Sequence, residues 1–207
     1  MIGVISYRTG NAHSVGYAFD RLGVPNRLVE RPDEAHDVER LVLPGVGSAG
    51  VTMASLQEHG WPEFLHQRVI DSATPFLGVC VGLQVLFEHS EEDDAKCLGW
   101  LPGAVCRFPA GQVRVPQMGW NEVTRRSEHP FVAQLPEPGH FYFVNSYFAV
   151  PERAEDTAAI TTYGVEFASV VARGNVMATQ FHVEKSGPMG LGLLRRFATL
   201  STVDLAC

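Results

Sequence analysis

Several common features are missing from this chain of 207 residues, and each absence excludes a class of protein. No apolar run approaches the roughly 18 residues of a membrane-spanning helix, so we expect no membrane association. The first residues, MIGVISYRTGN, lack the charged start of a secretory signal peptide and favour a strand instead. Basic residues form nothing larger than pairs such as Arg125-Arg126. With 16 basic against 23 acidic residues the net charge is −7, which argues against a nucleic-acid partner.

Cysteine is scarce as well, and its four positions form neither a C-x-x-C pair nor a disulfide-like spacing: Cys80, Cys97, Cys106 and Cys207. A reducing compartment suits such a chain, so we expect a cytoplasmic protein. The histidines and cysteines also lack the spacing of zinc ligands, and we therefore expect no metal site.

The first ninety residues alternate between strand-like and helix-like segments. The length suits one α/β domain, and we treat residues 1–207 as a single domain. Strands are predicted at 2–6, 25–30, 40–45 and 75–80, with helical segments at 15–22 and 51–70, the second broken near 60–62. This alternation predicts a mostly parallel open sheet flanked by helices.

The second half has a different pattern, because strand-like segments follow one another with only short turns between them. They lie at 141–150, 157–163, 168–174 and 176–183, and a last helix is predicted at 189–200. We expect these segments to add antiparallel strands to the parallel sheet.

A cysteine stands between two glycines where the strand at 75–80 meets a helix-like run, in the sequence Gly78-Val79-Cys80-Val81-Gly82. Glycines at this junction permit a sharp turn that exposes Cys80 as a nucleophile, with the Val81 N–H directed at a developing oxyanion. A helix N-terminus also favours the thiolate. Gln84 lies one helical turn further on and could face the same cleft. The alternative is a buried cysteine beside a close contact between strand and helix.

A nucleophilic cysteine requires a base, and QFHVEKS at 180–186 offers one where the last predicted strand ends. Residues two apart on a strand share a face, so Glu184 could lie behind His182 and fix its tautomer. In isolation, an H-x-E sequence is equally consistent with a solvated strand end.

The third candidate is Pro44-Gly45-Val46-Gly47, which follows the strand at 40–45. Two glycines around Val46 could let its peptide present an N–H to an oxyanion. A routine turn is the alternative. The sequence is not a dinucleotide fingerprint, because G-x-G-x-x-G is incomplete.

Together and in this order, PGVG, GVCVGLQ and QFHVEKS resemble the class I, or triad, glutamine amidotransferases over nearly the whole chain. The resemblance implies glutamine as the substrate, no cofactor, and a triad of Cys80 as nucleophile, His182 as base and Glu184 as its orienting group. It also implies an oxyanion and substrate site at Gly45, Val46, Gly47, Val81, Gln84, Glu92, Ser146 and Tyr147, with Glu92 receiving the α-amino group.

Further segments are similar to the glutaminase subunits of imidazole glycerol phosphate synthases, which serve histidine biosynthesis: GNAHSV at 10–15, LGWLPGAVCRF at 98–108, VPQMGWNEV at 115–123 and YFVNSYFAVP at 142–151. Such a subunit passes ammonia to a (β/α)₈ cyclase. The resemblance implies that this heterodimer partner meets the chain at Met118, Trp120, Asn121 and Lys185.

The chain departs from the usual family pattern at Arg8, Ala49, Gln117, Asn145 and Val183, none of them in the triad. These departures leave open a related specialised synthase with a different partner. The sequence is also consistent with a stand-alone γ-glutamyl hydrolase or with a non-catalytic binding module of the same fold.

Overall fold

A large sheet with helices on its faces organises the computed structural model, which describes residues 1–7, 11–201 and 203–205. Thirteen strands lie within these described residues: β1 (Ile2–Ile5), β2 (Asn26–Val29), β3 (Arg40–Gly45), β4 (Phe76–Cys80), β5 (His89–Ser90), β6 (Ala95–Lys96), β7 (Gly103–Arg107), β8 (Gln117–Arg125), β9 (Gly139–Asn145), β10 (Tyr147–Pro151), β11 (Thr157–Tyr163), β12 (Val165–Arg173) and β13 (Val176–Thr179). The α-helices are α1 (Ala12–Arg21), α2 (Ala49–Glu58), α3 (Trp61–Leu65), α4 (Val81–Gln84) and α5 (Gly187–Thr199).

The parallel part of the sheet has the strand order β2-β1-β3-β4-β13. Every residue of β1, β4 and β13 is buried, as expected for strands covered on both faces. The register pairs Gly45 with Cys80 and Val79 with Thr179, so β3, β4 and β13 end at the same edge. Ligand sites of open α/β sheets lie outside this carboxyl edge.

Antiparallel strands extend the sheet beyond β13. There β12 pairs with β13 and β10, and β10 pairs with β7. Beyond β7 lies β5, which is parallel to β7 and antiparallel to β6. A side branch runs from β12 through β11 and β8 to β9. The prediction of an open α/β sheet flanked by helices, parallel in the first half and with added antiparallel strands in the second, is confirmed. Among the described strands the antiparallel pairings are more numerous than the parallel ones, so the sheet as a whole is mixed.

The helices follow the apolar stripes of the sequence. Val15 and Phe19 of α1 are fully buried, and Gly23 follows the helix at φ +68°, the left-handed conformation that commonly ends helices. The segment at 51–70 forms α2, α3 and a π-helical turn (His66–Asp71), with the break at Gly60 as expected. Within the described residues, no helix is long and apolar enough to cross a membrane.

Three boundaries were predicted wrongly. The segment at 141–150 is two strands, because Ser146 separates β9, which pairs with β8, from β10, which pairs with β7. The strand predicted at 176–183 ends at Thr179, since its partner β4 ends at Cys80 and offers nothing further to pair with. The helix-like run after Cys80 is a single turn, α4. The strands β5, β6, β7 and β8 were not predicted.

Candidate active site

Cys80 forms a strained elbow between β4 and α4. Its φ of 57° and ψ of −107° lie outside the regions that residues with a side chain ordinarily occupy. The side chain is 4% exposed, yet it lines a cavity at the carboxyl edge of the sheet. A cysteine that only filled the core would not require this backbone conformation.

The two glycines around Cys80 are required by close backbone contacts. A Cβ added to Gly78 would lie 2.4 Å from the carbonyl oxygen of Gly82, and one added to Gly82 would lie 1.9 Å from the carbonyl oxygen of Leu43. The turn after Cys80 therefore lies directly against β4 and β3. Side chains at either position would displace the elbow.

The variant Gly82→Ala is expected to lower the free energy of unfolding by about 1–3 kcal/mol or more, because its methyl group overlaps fixed backbone. The matched control is Gly192→Ala in α5, where an added Cβ meets nothing within 4 Å. The control should stabilise the protein by about 0.5–1 kcal/mol. Urea denaturation of both variants makes the comparison. Equal stabilities would contradict the packing described for the elbow.

The cavity beside Cys80 has a volume of about 260 Å³. Its lining consists of Val46, Gly47, Cys80, Val81, Gln84, Glu92, Pro116, Val144, Asn145, Ser146, Tyr147 and His182. Nine of these twelve are residues that the sequence placed in a catalytic or substrate site. Gly45 and Glu184 do not line the cavity and lie behind it.

His182 and Glu184 are in direct contact, although not for the reason predicted. Glu184 belongs to a 3-10 turn (Val183–Lys185), and this turn brings its Oε1 to 3.0 Å from the His182 Nδ1. The prediction that both lie on one strand is wrong, because β13 ends at Thr179. Both side chains are almost completely buried, at 3% and 1% exposed. Because Glu184 engages the Nδ1, the Nε2 is the ring nitrogen of His182 that can interact with Cys80 or with a ligand in the cavity.

The electrostatic environment favours a charged His182. Burial lowers the pKa of this histidine, but hydrogen bonds with Cys80 and Glu184, and their charges, outweigh burial and raise the pKa to about 10. At neutral pH the side chain is therefore an imidazolium beside the Cys80 sulfur. An imidazolium can donate a proton to a leaving group at this position.

Asn11 adds a donor to the same pair. It occupies the N-cap position of α1, but its side chain makes no capping bond and its Nδ2 donates instead to the Glu184 Oε1. Both donors thus converge on one carboxylate oxygen, and the Glu184 Oε2 has no hydrogen-bond partner among the described residues. Asn11 was missed in the sequence, where an asparagine before a helix indicates only a cap.

The two glycines of Pro44-Gly45-Val46-Gly47 differ in their surroundings. A Cβ on Gly45 would lie 2.8 Å from the Tyr7 hydroxyl oxygen and 2.8 Å from the Val81 Cβ, so Gly45 is confined. Gly47 has a φ of +100°, and a Cβ added to it would meet nothing within 4 Å. The Val46–Gly47 peptide therefore has room to rotate at Gly47 but not at Gly45. The buried Tyr7 has its pKa raised to about 12, chiefly by burial.

Two glutamines are hydrogen-bonded to each other, Gln84 in the cavity wall and Gln180 behind it. The Gln84 Nε2 donates to the Tyr147 carbonyl oxygen at 3.1 Å and to the Gln180 Oε1 at 3.2 Å. The Gln180 Nε2 lies 3.8 Å from the Cys80 Sγ. Gln180 was not predicted as a site residue, and its only signal was a polar residue in an otherwise apolar strand end.

Glu92 lines the cavity on the side of α2. Its Oε2 accepts a hydrogen bond of 3.0 Å from the Ala49 N–H. Partial burial raises the pKa of this carboxyl group, the Ala49 N–H lowers it, and the net direction is upward. Glu92 is the acidic side chain among the cavity-lining residues, so it is suited to bind a cationic group of a ligand.

The four residues expected to meet a partner lie on the surface near this edge. Met118 and Trp120 are 67% and 58% exposed on one face of β8, and Lys185 is also exposed. Asn121 is half-buried and its Nδ2 donates to the Thr162 carbonyl oxygen at 3.0 Å.

Most departures from the family pattern are buried. Gln117 and Asn145 are opposite each other in the β8–β9 register, at 2% and 5% exposed, while Ala49 and Val183 are fully buried. Arg8 lies outside the described residues. In the part of the chain that the structure describes, no group of three or more histidine, cysteine, aspartate or glutamate side chains could hold a metal ion.

Comparison with known sequences gives a consistent result. The profile of the family "Glutamine amidotransferase class-I" matches residues 8–200. An imidazole glycerol phosphate synthase subunit HisH from Desulfitobacterium hafniense is 46% identical over 198 residues, covering 95% of this chain and 93% of that relative. The subunit of the same name from Dehalococcoides mccartyi is 43% identical over 205 residues, covering 99% of both chains.

Solved structures share the fold at low sequence identity. A glutamine amidotransferase crystal structure matches with a TM-score of 0.76 and 20% identity, covering 96% of this chain and 99% of the other. PurLQS from Thermotoga maritima matches with a TM-score of 0.72 and 16% identity, covering 95% and 96%. These similarities support the arrangement of sheet and helices.

Proposed function

The chain belongs to the class-I glutamine amidotransferases, and from this membership we propose that it is the glutaminase subunit of an imidazole glycerol phosphate synthase. It hydrolyses glutamine to glutamate and ammonia for histidine biosynthesis. The observation that carries the proposal is the buried pair of His182 and Glu184 at the cavity that Cys80 lines. Residues 1–207 act as one glutaminase domain, and the reaction uses no cofactor.

The reaction begins when the Cys80 thiolate attacks the side-chain amide carbon of glutamine. The oxyanion that forms is held by backbone N–H groups of Val81 and of the segment at 44–47, both beside the cavity. The His182 imidazolium donates its proton to the amide nitrogen, and the C–N bond breaks to release ammonia. Cys80 is left as a γ-glutamyl thioester.

The second half of the reaction restores the enzyme. Neutral His182 accepts a proton from water, and the hydroxide attacks the thioester carbon. The C–S bond breaks, glutamate leaves, and the thiolate and imidazolium are regenerated. Glu184 keeps the His182 Nδ1 protonated throughout, so that the other ring nitrogen exchanges the proton.

The partner is a (β/α)₈ cyclase subunit that receives the ammonia. The exposed side chains of Met118 and Trp120 support an interface there, because large apolar residues clustered on a surface commonly mark binding sites. A related specialised synthase would use the same triad with another partner. A stand-alone γ-glutamyl hydrolase would have no need of this surface.

The direct test combines the purified chain with a cyclase subunit from an imidazole glycerol phosphate synthase. Glutamine should then support both glutamate release and formation of the cyclase product, at nearly equal rates. Glutamate release without product would move the assignment to another synthase. Absence of glutamate release would reject the assignment of the chain as a glutaminase.

His182 and Glu184 should contribute unequally to glutaminase activity. His182→Ala is expected to lower glutaminase kcat/KM by on the order of 10³–10⁶, because it removes the proton carrier. Glu184→Gln should lower it by only about 10–10², since a glutamine oxygen there can still accept from both Asn11 and His182. Steady-state glutamate release measures both. Small and equal effects would show that the pair has no catalytic role.

A further inference from the structure

Residues 91–94 are four consecutive acidic residues, and this acidic loop contacts the start of α2. The Ala49 N–H donates to the Glu92 Oε2 at 3.0 Å, and the Ser48 hydroxyl donates to the Asp93 carboxylate. A helix N-terminus favours negative charge, whereas the first turn of α2 is itself uncharged in sequence. The acidic loop therefore supplies this charge from a distant part of the chain.

Asp93 packs on the backbone of α2 as well as on Ser48. A Cβ added to Gly50 would lie 2.7 Å from the Asp93 Cβ, so a side chain at position 50 would displace Asp93. Ser48 is the N-cap residue of α2, and its Oγ also accepts the Val51 N–H at 3.3 Å. One hydroxyl group thus joins the acidic loop to the first turn of the helix.

The backbone of the acidic loop depends on contacts of this kind. Asp93 and Asp94 have φ values of 61° and 48°, in the left-handed region that residues with a side chain rarely occupy. Such residues persist only where the surrounding structure holds them. The Asp94 carboxylate is 97% exposed and lies 3.3 Å from the His89 Nε2, whereas Asp93 contacts Ser48. Of the two, Asp93 is the residue that fixes the loop to α2.

The residues held by the acidic loop directly follow Gly47, the glycine at which the Val46–Gly47 peptide has room to rotate. Gly47 and Glu92 both line the cavity. The Ser48–Asp93 contact spans 45 positions of sequence and joins the chain next to Gly47 with the chain next to Glu92. A movement of the acidic loop is therefore transmitted to the residue that follows Gly47.

We propose that Asp93 is a positioning residue that makes the acidic loop and the oxyanion segment at 44–47 move as one unit. This inference rests on the proposed function. A cationic substrate group that binds Glu92 fixes the acidic loop, and the Ser48–Asp93 contact then fixes the chain that follows Gly47. The Val46–Gly47 peptide rotates against this fixed end, so its N–H is held in place for the oxyanion. Substrate binding and oxyanion stabilisation are thereby coupled.

The test compares kcat and KM for glutamine in the complex with a cyclase subunit. Asp93→Gly removes the carboxylate without straining the backbone, because glycine accepts the left-handed conformation. We expect kcat to fall and KM to rise, each by on the order of tenfold. The matched control Asp94→Gly removes the adjacent carboxylate from the same conformation, and it should leave both constants within about twofold.

Two further variants separate the hydrogen bond from the charge. Asp93→Asn keeps an acceptor oxygen for Ser48 and suits the left-handed backbone, so both constants should remain within about twofold although the charge is lost. Ser48→Ala should reproduce the effects of Asp93→Gly. The double variant should be no worse than either single variant, because all three lose the same contact.

Hydrogen exchange provides a measurement that needs no catalysis. In the chain without ligand, the amides of residues 47–51 should exchange faster in Asp93→Gly than in Asp94→Gly. The reason is that the Ala49 and Val51 N–H groups donate to Glu92 and Ser48, two side chains whose positions depend on the Ser48–Asp93 contact.

A rise in KM with unchanged kcat in Asp93→Gly would show that Asp93 supports substrate binding alone, and it would overturn the proposal. Equal losses in Asp93→Gly and Asp93→Asn would assign the effect to charge and overturn it as well, as would equal hydrogen exchange in the two glycine variants. Absence of glutamate release by the unmodified complex would instead reject the proposed function. Hydrogen exchange would still test the Ser48–Asp93 contact in that case.

Discussion

Replacing Cys80 with serine is expected to abolish glutamate release from glutamine, with a loss on the order of 10⁴–10⁶. The strained backbone at Cys80 and its place in the cavity wall allow the sulfur to reach a bound amide. A serine hydroxyl in the same position is a far weaker nucleophile than a thiolate. Product formation from added ammonium salts should persist in the complex, because the ammonia acceptor binds to the partner.

The matched control for this experiment is Cys97→Ser. Cys97 is buried away from the cavity, its Sγ lies 3.6 Å from the Ala95 carbonyl oxygen, and burial raises its pKa to about 11. Its substitution should leave glutaminase activity within about twofold. A Cys80→Ser protein that still released glutamate at nearly the original rate would contradict the assignment of the nucleophile.

The second large effect is activation by the partner. Glutaminase activity of the chain alone should be lower than that of the complex by on the order of 10²–10³, the cost of one missing oxyanion donor. The open surroundings of Gly47 allow the Val46–Gly47 peptide to direct its N–H toward or away from the cavity. Binding of the proposed partner and its ligand would hold this N–H toward the cavity, so that glutamine is not hydrolysed when no acceptor is present.

This activation is measured as the rate of glutamate release under three conditions. These are the chain alone, the chain with its partner, and the chain with the partner and the partner's ligand. The variant Gly47→Ala tests its origin, because a φ of +100° is strained for alanine and the peptide would be displaced. Its activity in the complex should fall toward that of the chain alone. Full activity of the unmodified chain alone would reject the switch and favour a stand-alone hydrolase.

Strands with continuous apolar sequence were predicted well, since burial on both faces leaves a strong local signal. The predicted strand at 40–45 agrees with β3 at every residue. Strand ends were predicted poorly, because each end depends on a distant partner. For example, β13 ends at Thr179, which pairs with Val79 near the end of β4, and the sequence around Thr179 does not indicate this pairing.

Side chains that support the site were the least predictable. Asn11 contacts Glu184 across 173 positions of sequence, and Gln84 contacts Gln180 across 96. A single sequence identifies a nucleophile by the glycines that its turn requires, as at Gly78 and Gly82. It does not identify side chains such as Asn11 and Gln180, which reach the site only because the fold brings them to Glu184 and Cys80.

The central claim is that Cys80 forms a γ-glutamyl thioester, and rapid-quench mass spectrometry of the complex with glutamine tests it most directly. The account predicts that the peptide containing Cys80 gains a γ-glutamyl group during turnover, while the peptides with Cys97 and Cys106 do not. The adduct should be absent from Cys80→Ser and should accumulate when hydrolysis is slowed at low pH. Turnover with no adduct under any quench condition, or with the adduct on another cysteine, would contradict the account.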